Sequence, residues 1–475
     1  MKQLKQLSRS KNTYVASDPI ARLECQTLRK HLILLAASLM FGIAPVGAQT
    51  LAYQWIPLDG EQMDSSPALD KNLAVADGGM VYIATHAHLY QFQADGEGIN
   101  VFPLQTGQSW ETDGQSSSPA LDLAGNIYLG TSTSSGGSLM KFYCGNGNVN
   151  SGSTLWTYTI PDGGMVYSTP TIGSDGFTAY VGTDDGGSPG VYGINTGGAQ
   201  IWFYPFDHVD SSLAISSSGT LYCQTEHDNL LFALTNILSP SASSKWFAPV
   251  QNDLYYYIYP HFTSSPAVDS DGTVYIGSEI GLCAIKTDGN VRWVFVPHKN
   301  DLSGYPQNRF FQSSPVIGLN GAIYIGGHDG MLYAITNSTS GVGQKWSWFP
   351  SPTTGPNWGG SPTLQPILAT PAIAQDGTIY VTLPDPVNGS TWLFAVKDTP
   401  TGPQQSWALN LLVAAHPGVY TPSSPLIAPN GQIFVSDSIS LYSVTVSTHS
   451  PLANSPWPMY HHDAKHRGYQ GYGVY

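Results

Sequence analysis

One pattern occurs eight times along this chain, and few folds can hold it: Ser-Ser-Pro, a polar turn with Gly, an apolar–Tyr–apolar run, then Leu-Tyr-Ala-apolar. The clearest copy runs Ser264-Ser265-Pro266-Ala267-Val268 and Thr273-Val274-Tyr275-Ile276-Gly277. The third positions of the eight motifs are 67, 119, 170, 213, 266, 315, 371 and 425, spaced 43 to 56 residues apart. The copy at Ser211-Ser212-Leu213-Ala214 is degenerate, and that at Ala369-Thr370-Pro371 replaces both serines.

Each copy predicts four short strands. The first begins at Ser-Ser-Pro, where Pro suits a strand start because it donates no ladder hydrogen bond. The second carries the Tyr, and dipeptides such as Asp271-Gly272, Asn320-Gly321, Asp376-Gly377 and Asn430-Gly431 mark the tight turn between them. The third is Leu-Tyr-Ala-Ile or a relative, as in Leu332-Tyr333-Ala334-Ile335. The fourth carries Trp156, Trp202, Trp246, Trp293, Trp346 or Trp407; the first repeat offers Ile99 to Phe102 instead.

Four antiparallel strands repeated eight times predict an all-β chain folded as a single eight-bladed β-propeller, in which neighbouring blades bury each other's faces. A sandwich or linear solenoid does not explain a Trp strand in repeat after repeat. The eighth repeat has no Trp strand of its own, whereas Tyr53-Gln54-Trp55-Ile56-Pro57 is a spare one ahead of the first. This N-terminal strand is expected to complete the last blade, with Trp55 in the structural Trp role, and so to remove the open sheet edges.

Residues 1–48 read as a cleaved secretory signal: seven basic residues, the apolar run Leu32 to Phe41, and Val46-Gly47-Ala48 as a small-x-small cleavage site. Gly42, Pro45 and Gly47 interrupt the run short of a bilayer span. The propeller is expected over 49–450 and a tail over 451–475, giving an exported monomer with no membrane span, in the periplasm, on the cell surface or outside the cell.

Charge narrows the partners. The whole chain has 18 Lys and Arg against 32 Asp and Glu, net −14; the leader takes seven basic and two acidic residues, leaving 11 against 30, or −19. Phosphate binding needs clustered Lys and Arg, so nucleic acid is disfavoured. The cysteines after the leader, Cys144, Cys223 and Cys283, are odd in number and lie in or beside strand-like runs, which reads as three inert thiols.

The Ser-Ser-Pro-Ala-Val-Asp-Ser-Asp-Gly-Thr-Val-Tyr-Ile-Gly run, the Leu-x-Ala-Ile after it, Thr287-Asp288-Gly289-Asn290-Val291-Arg292-Trp293, and the terminal Trp457-Pro458-Met459-Tyr460-His461-His462-Asp463 resemble the PQQ-like β-propeller repeat family. That superfamily holds quinoprotein dehydrogenases and scaffolds such as the BamB lipoprotein, and the resemblance spans about residues 53 to 468. It implies fold more than function. The dehydrogenases place PQQ over adjacent cysteines and a calcium held by Glu, Asn and Asp; this chain has no adjacent Cys pair and no Cys-x-x-Cys-His. Neither cofactor is expected.

Other constellations are weaker. Asp269-Ser270-Asp271-Gly272 opens like a calcium loop but lacks the acidic twelfth position, which is Ile280, and reads as a turn. His461, His462, Asp463 and His466 are donors of the right kind for a divalent metal, though three His near a chain end need not converge. No catalytic nucleophile and base can be picked out.

In an up-and-down blade, the connection from the fourth strand to the next blade lies on the same face as the second-to-third connection. Here those interblade loops are long and aromatic. They carry Tyr255, Tyr256, Tyr257, Tyr259, His261, His298, Tyr305, Arg309, Trp358, His416 and Tyr420, residue types enriched in binding hot spots. Two readings follow: a non-enzymatic module binding protein, peptide or glycan on this face, or a PQQ- and calcium-dependent dehydrogenase. The same loops also suit a plug packed over the channel.

Overall fold

Repeats that each supply four short, turn-separated β-prone runs form eight four-stranded antiparallel sheets. The structure, a computed structural model, describes residues 51–57, 65–70, 79–85, 88–93, 99–103, 117–133, 136–143, 153–184, 186–225, 230–250, 264–278, 281–297, 311–338, 341–350, 366–385, 390–411, 422–437, 439–448 and 450–474. The sheets are the blades of an eight-bladed β-propeller. Blades 1 to 7 follow chain order over 68–103, 120–159, 171–205, 214–249, 267–295, 316–348 and 372–411. Blade 8 takes its three inner strands from 426–446 and its outer strand from Leu51–Pro57, which pairs antiparallel with Ser440–Val446.

The two serines of the motif have different jobs. The first ties its own blade together: its hydroxyl accepts a backbone N–H of the second strand, Gly130 to Ser117 at 3.1 Å, Gly182 to Ser168 at 2.8 Å, Gly277 to Ser264 at 2.9 Å and Ser436 to Ser423 at 2.8 Å. The second joins blades. Its backbone N–H donates to the equivalent hydroxyl of the next blade, through Ser66, Ser118, Thr169, Ser212, Ser265 and Ser314, then from Thr370 to Ser424 and from Ser424 back to Ser66, at 2.9 to 3.3 Å. At the remaining junction the Ser313 hydroxyl donates to the Ala369 carbonyl at 3.0 Å. Because that N–H is directed sideways and the next residue is usually Pro, the inner strand starts only after the motif and is two residues long in seven blades.

A second belt lies further out. In blades 2 to 7 a Tyr of the second strand, a residue of the third and the Trp of the fourth stand in register, as in Tyr275, Ala284 and Trp293. The Tyr and Trp rings meet across the middle residue at 5.6 to 5.8 Å in all six, and that residue is Ala or Gly in five of them. In blade 2 it is Lys141, whose ammonium lies over the Tyr128 ring. Indole N–H groups then reach the next blade: Trp156 to the Thr196 carbonyl, Trp202 to that of Ile237, Trp246 to that of Thr287, Trp293 to Asn337 Oδ1 and Trp346 to Asp398 Oδ1. All six Trp blades carry a β-bulge immediately beside the Trp pair.

Trp55 does not fill this position. Its strand pairs as expected, but the register sets Gln54 opposite Ser443 and Phe434, and Trp55 opposite Tyr442. Gln54, one residue earlier, therefore holds the register position that Trp holds in blades 2 to 7. Blades 1 and 8, which lack the Trp, also lack the bulge.

The Gly of Tyr-x-Gly is a packing requirement. A Cβ on Gly130, Gly182 or Gly326 would come within 2.4, 2.5 or 2.3 Å of Val166, Val209 or Ile367, the apolar residue two places before the next motif. The Gly turns also differ from a two-residue hairpin: Gly272 alone takes positive φ, and Asp269 pairs with Thr273 across three residues. Asp269-Ser270-Asp271-Gly272 is thus a turn. Cys223 and Cys283 are buried free thiols; Cys144 lies outside the described residues.

Candidate functional site

The inner strand of every blade has one edge toward the channel, and an edge N–H with no acceptor is costly. The C-terminal tail supplies acceptors. Its carbonyls take the N–H two residues after the motif's third position in six blades. Trp457 accepts from Ile317 (2.7 Å), Pro458 from Ile373 (2.9 Å), Ala464 from Leu69 (2.7 Å), Lys465 from Leu121 (2.9 Å), Arg467 from Ile172 (2.8 Å) and Gly468 from Ile215 (2.7 Å). Gln470 Nε2 adds the Val268 carbonyl of blade 5 at 3.0 Å. After first touching blade 7 through residues 451–453, the tail from Trp457 onward visits blades 6, 7, 1, 2, 3, 4 and 5 in the sense of the blades themselves. So tight a coil needs left-handed backbone, taken by His461, His462, His466 and Gly468.

This circuit explains residues that read as metal donors. His461, His462, Asp463 and His466 are buried, but they diverge. His461 Nδ1 faces the His466 carbonyl, and its Nε2 lies by the Thr171 hydroxyl and the Leu213 carbonyl; His466 Nδ1 faces the Pro119 carbonyl. Burial lowers both rings, His461 to about 4 and His466 to about 3, so they are neutral at pH 7. Burial would raise the Asp463 carboxyl, but the Arg467 guanidinium at 2.9 Å, His462 and the backbone N–H groups of Lys465 and Arg467 hold it well below the usual range. Lys465 crosses to Asp70 of blade 1 at 2.8 Å, both side chains 2% exposed. Tyr460 reaches up to the serine belt, 2.8 Å from both the Thr169 and Ser212 hydroxyls. Among the described residues no set of three His, Cys, Asp or Glu side chains could hold a metal.

The tail engages the end of each inner strand that leads into the first turn, opposite the interblade loops. On the loop face, blades 2 to 4 show described structure. Residues 160–166 bridge to Asp184 and Gly187, and Phe206 and Val209 donate to the Pro189 and Thr183 carbonyls. Interblade and second-to-third connections thus share a face. Its charged groups are Asp162, whose carboxylate accepts from the Ser188 hydroxyl, Asp184 paired with His208 Nδ1, and Asp207 at 3.5 Å from His208 Nε2. On blade 6, burial raises Asp329, which accepts from the Tyr333 hydroxyl, and lowers His328.

Beside these carboxylates runs a row of aromatic rings that sequence reading missed. Tyr204 stacks on Phe206 at 4.8 Å, Phe206 meets Phe232 at 4.5 Å, and Phe232 meets Phe247 at 5.6 Å. Phe247 is 61% exposed. The signal was available in Ile201-Trp202-Phe203-Tyr204-Pro205-Phe206 and Trp246-Phe247, but it was masked by the Trp of the repeat beside it. The expected loop residues, Tyr255, Tyr256, Tyr257, Tyr259, His261, His298, Tyr305, Arg309, Trp358, His416 and Tyr420, lie outside the described residues, as does the leader 1–48.

At the described end of the channel His461 and His466 are buried, the cations Lys465 and Arg467 are paired with Asp70 and Asp463, and burial pushes the Cys283 thiol up to about 11. Among the described residues no helix is long and apolar enough to cross a membrane.

No family model and no curated protein sequence matches the chain. Solved structures do. BamB from Moraxella catarrhalis is 16% identical, with 83% of this chain and 98% of that one covered at a TM-score of 0.53. Sqt1 of Saccharomyces cerevisiae is 13% identical, covering 82% and 97% at 0.55. The C-terminal WD40 domain of Sif2 is 12% identical, covering 82% and 98% at 0.53. At such identities the likeness is one of fold, and the fold is the one the repeats predict.

Proposed function

We propose that this chain is an exported, monomeric, non-enzymatic propeller that binds a protein, peptide or glycan partner on its loop face. The observation that carries the reading is the division of labour between the two ends of the channel. One end is taken up by the chain's own tail, whereas the other presents an open aromatic row beside carboxylates, with Phe247 61% exposed. Aromatic rings offer large contact area at low entropic cost, which is why they concentrate in binding hot spots. By the strand order of the repeat, the long interblade segments with Tyr256, Tyr257 and Trp358 are expected on the same face, and the leader 1–48 is expected to direct export.

The test is a photo-crosslinking residue placed at position 247, and separately at 256, in the native host. A discrete adduct at both positions, the one at 247 being lost when Tyr256, Tyr257 and Trp358 are changed to Ala, is the expected result, with the mature chain starting at Gln49. The competing dehydrogenase reading predicts calorimetric binding of PQQ with calcium and dye-linked turnover. Binding with turnover overturns the proposal.

A further inference from the structure

All eight blades have their four strands without any residue beyond 446, the last being completed by Leu51–Pro57. The tail adds no strand to a sheet; its only ladder contacts are single bridges, Ile215 to Tyr469, Ile317 to Trp457 and Ala374 to Leu452. It is joined to blade 8 through Ser447 and Thr448, both exposed. Its charges are largely settled internally, Arg467 on Asp463, with Lys465 to Asp70 the ion pair that crosses to a blade. These are the features of a bound peptide: main-chain carbonyls read by a row of edge N–H groups, and side chains such as Leu452, Trp457 and Met459 buried against several blades.

We propose that the channel end lined by the first turns is a peptide-binding site, and that residues 451–474 are its resident, exchangeable ligand. The six N–H donors from Leu69, Leu121, Ile172, Ile215, Ile317 and Ile373 set the path of the peptide. The chemistry it selects is a buried Trp at the entry, an Asp–Arg pair four residues apart that closes a tight loop, and a Lys for Asp70. The same segment of a second copy satisfies every contact, so exchange between copies follows from the same site.

The test keeps the protein whole until it has folded. A site for a specific protease is inserted after Thr448, the folded chain is cleaved, and a fluorescent synthetic peptide of residues 451–475 is added in hundredfold excess at 25 and 45 °C. The expected result is incorporation of one labelled peptide per propeller with unchanged circular dichroism. A D463N peptide, which leaves Arg467 buried without its carboxylate, should compete tenfold or more weakly. Failure of the labelled peptide to enter at either temperature, loss of the propeller's circular dichroism when the fragment leaves, or equal uptake of a scrambled peptide overturns the proposal, the second by making the tail part of the fold.

Discussion

The backbone N–H of Ser424 donates to the hydroxyl of Ser66 at 3.1 Å across 358 residues of sequence. This bond shuts the serine belt, and its two partners come from the last and first copies of one motif. Ser66→Ala leaves the buried Ser424 N–H without an acceptor, which costs about 1–3 kcal/mol. Ser66→Thr should be nearly neutral, since the Thr169 hydroxyl accepts at the equivalent position. Urea unfolding of both variants decides this, and equal stability of Ala and Thr would remove the belt's energetic role.

Deleting residues 51–57 strips blade 8 of its outer strand and exposes the Ser440–Val446 edge. The expected outcome is oligomers on size exclusion with light scattering and a lowered Tm, because an unpaired strand edge recruits other edges. A monomer with unchanged Tm would mean that the ring does not depend on this strand.

Gly326→Ala sets a methyl against Ile367, 2.3 Å from its Cγ2, and should cost about 1–3 kcal/mol by overpacking. Ile367→Ala removes the Cγ2 that the new methyl meets, so in urea unfolding the double mutant should lose less than the sum of the two single changes. Strictly additive losses would place the strain elsewhere.

The two buried histidines make stability depend on pH. Their folded values, about 4 and about 3, lie below the unfolded value near 6.5, so the unfolded chain binds more protons between these limits. The stability they allow is complete above about pH 6.5 and falls as the pH drops toward 4. In NMR, the ring signals of His461 and His466 should stay fixed from pH 8 to 5 while exposed histidines titrate. Titration of either near 6.5 would contradict their burial.

Phe247→Ala should leave stability within about 0.5 kcal/mol, as expected for an exposed side chain, yet abolish the partner adduct at position 256. Loss of stability of several kcal/mol would instead make the aromatic row a packing element.

What could be read from the sequence was whatever repeats. Tyr275, Ala284 and Trp293 are close in sequence and recur with near-constant spacing, so the blade, its strand order and the blade number were legible. Contacts that do not repeat were not. The one-residue offset that puts Gln54 rather than Trp55 in the Trp position depends on a register between residues 51–57 and 440–446. The tail's circuit consists of single hydrogen bonds to six blades, with no local pattern beyond Trp-Pro-Met and a His cluster that suggests metal as readily as it suggests packing.

The strand that completes blade 8 comes first out of the ribosome, and the edge it pairs with comes almost last. Seven blades can be assembled while Leu51–Pro57 has nowhere to go, and the channel has no filling until residues after 450 have been synthesised. The ring is a latch at the end of synthesis: a chain truncated before residue 440 lacks the edge that Leu51–Pro57 pairs with and cannot complete its last blade.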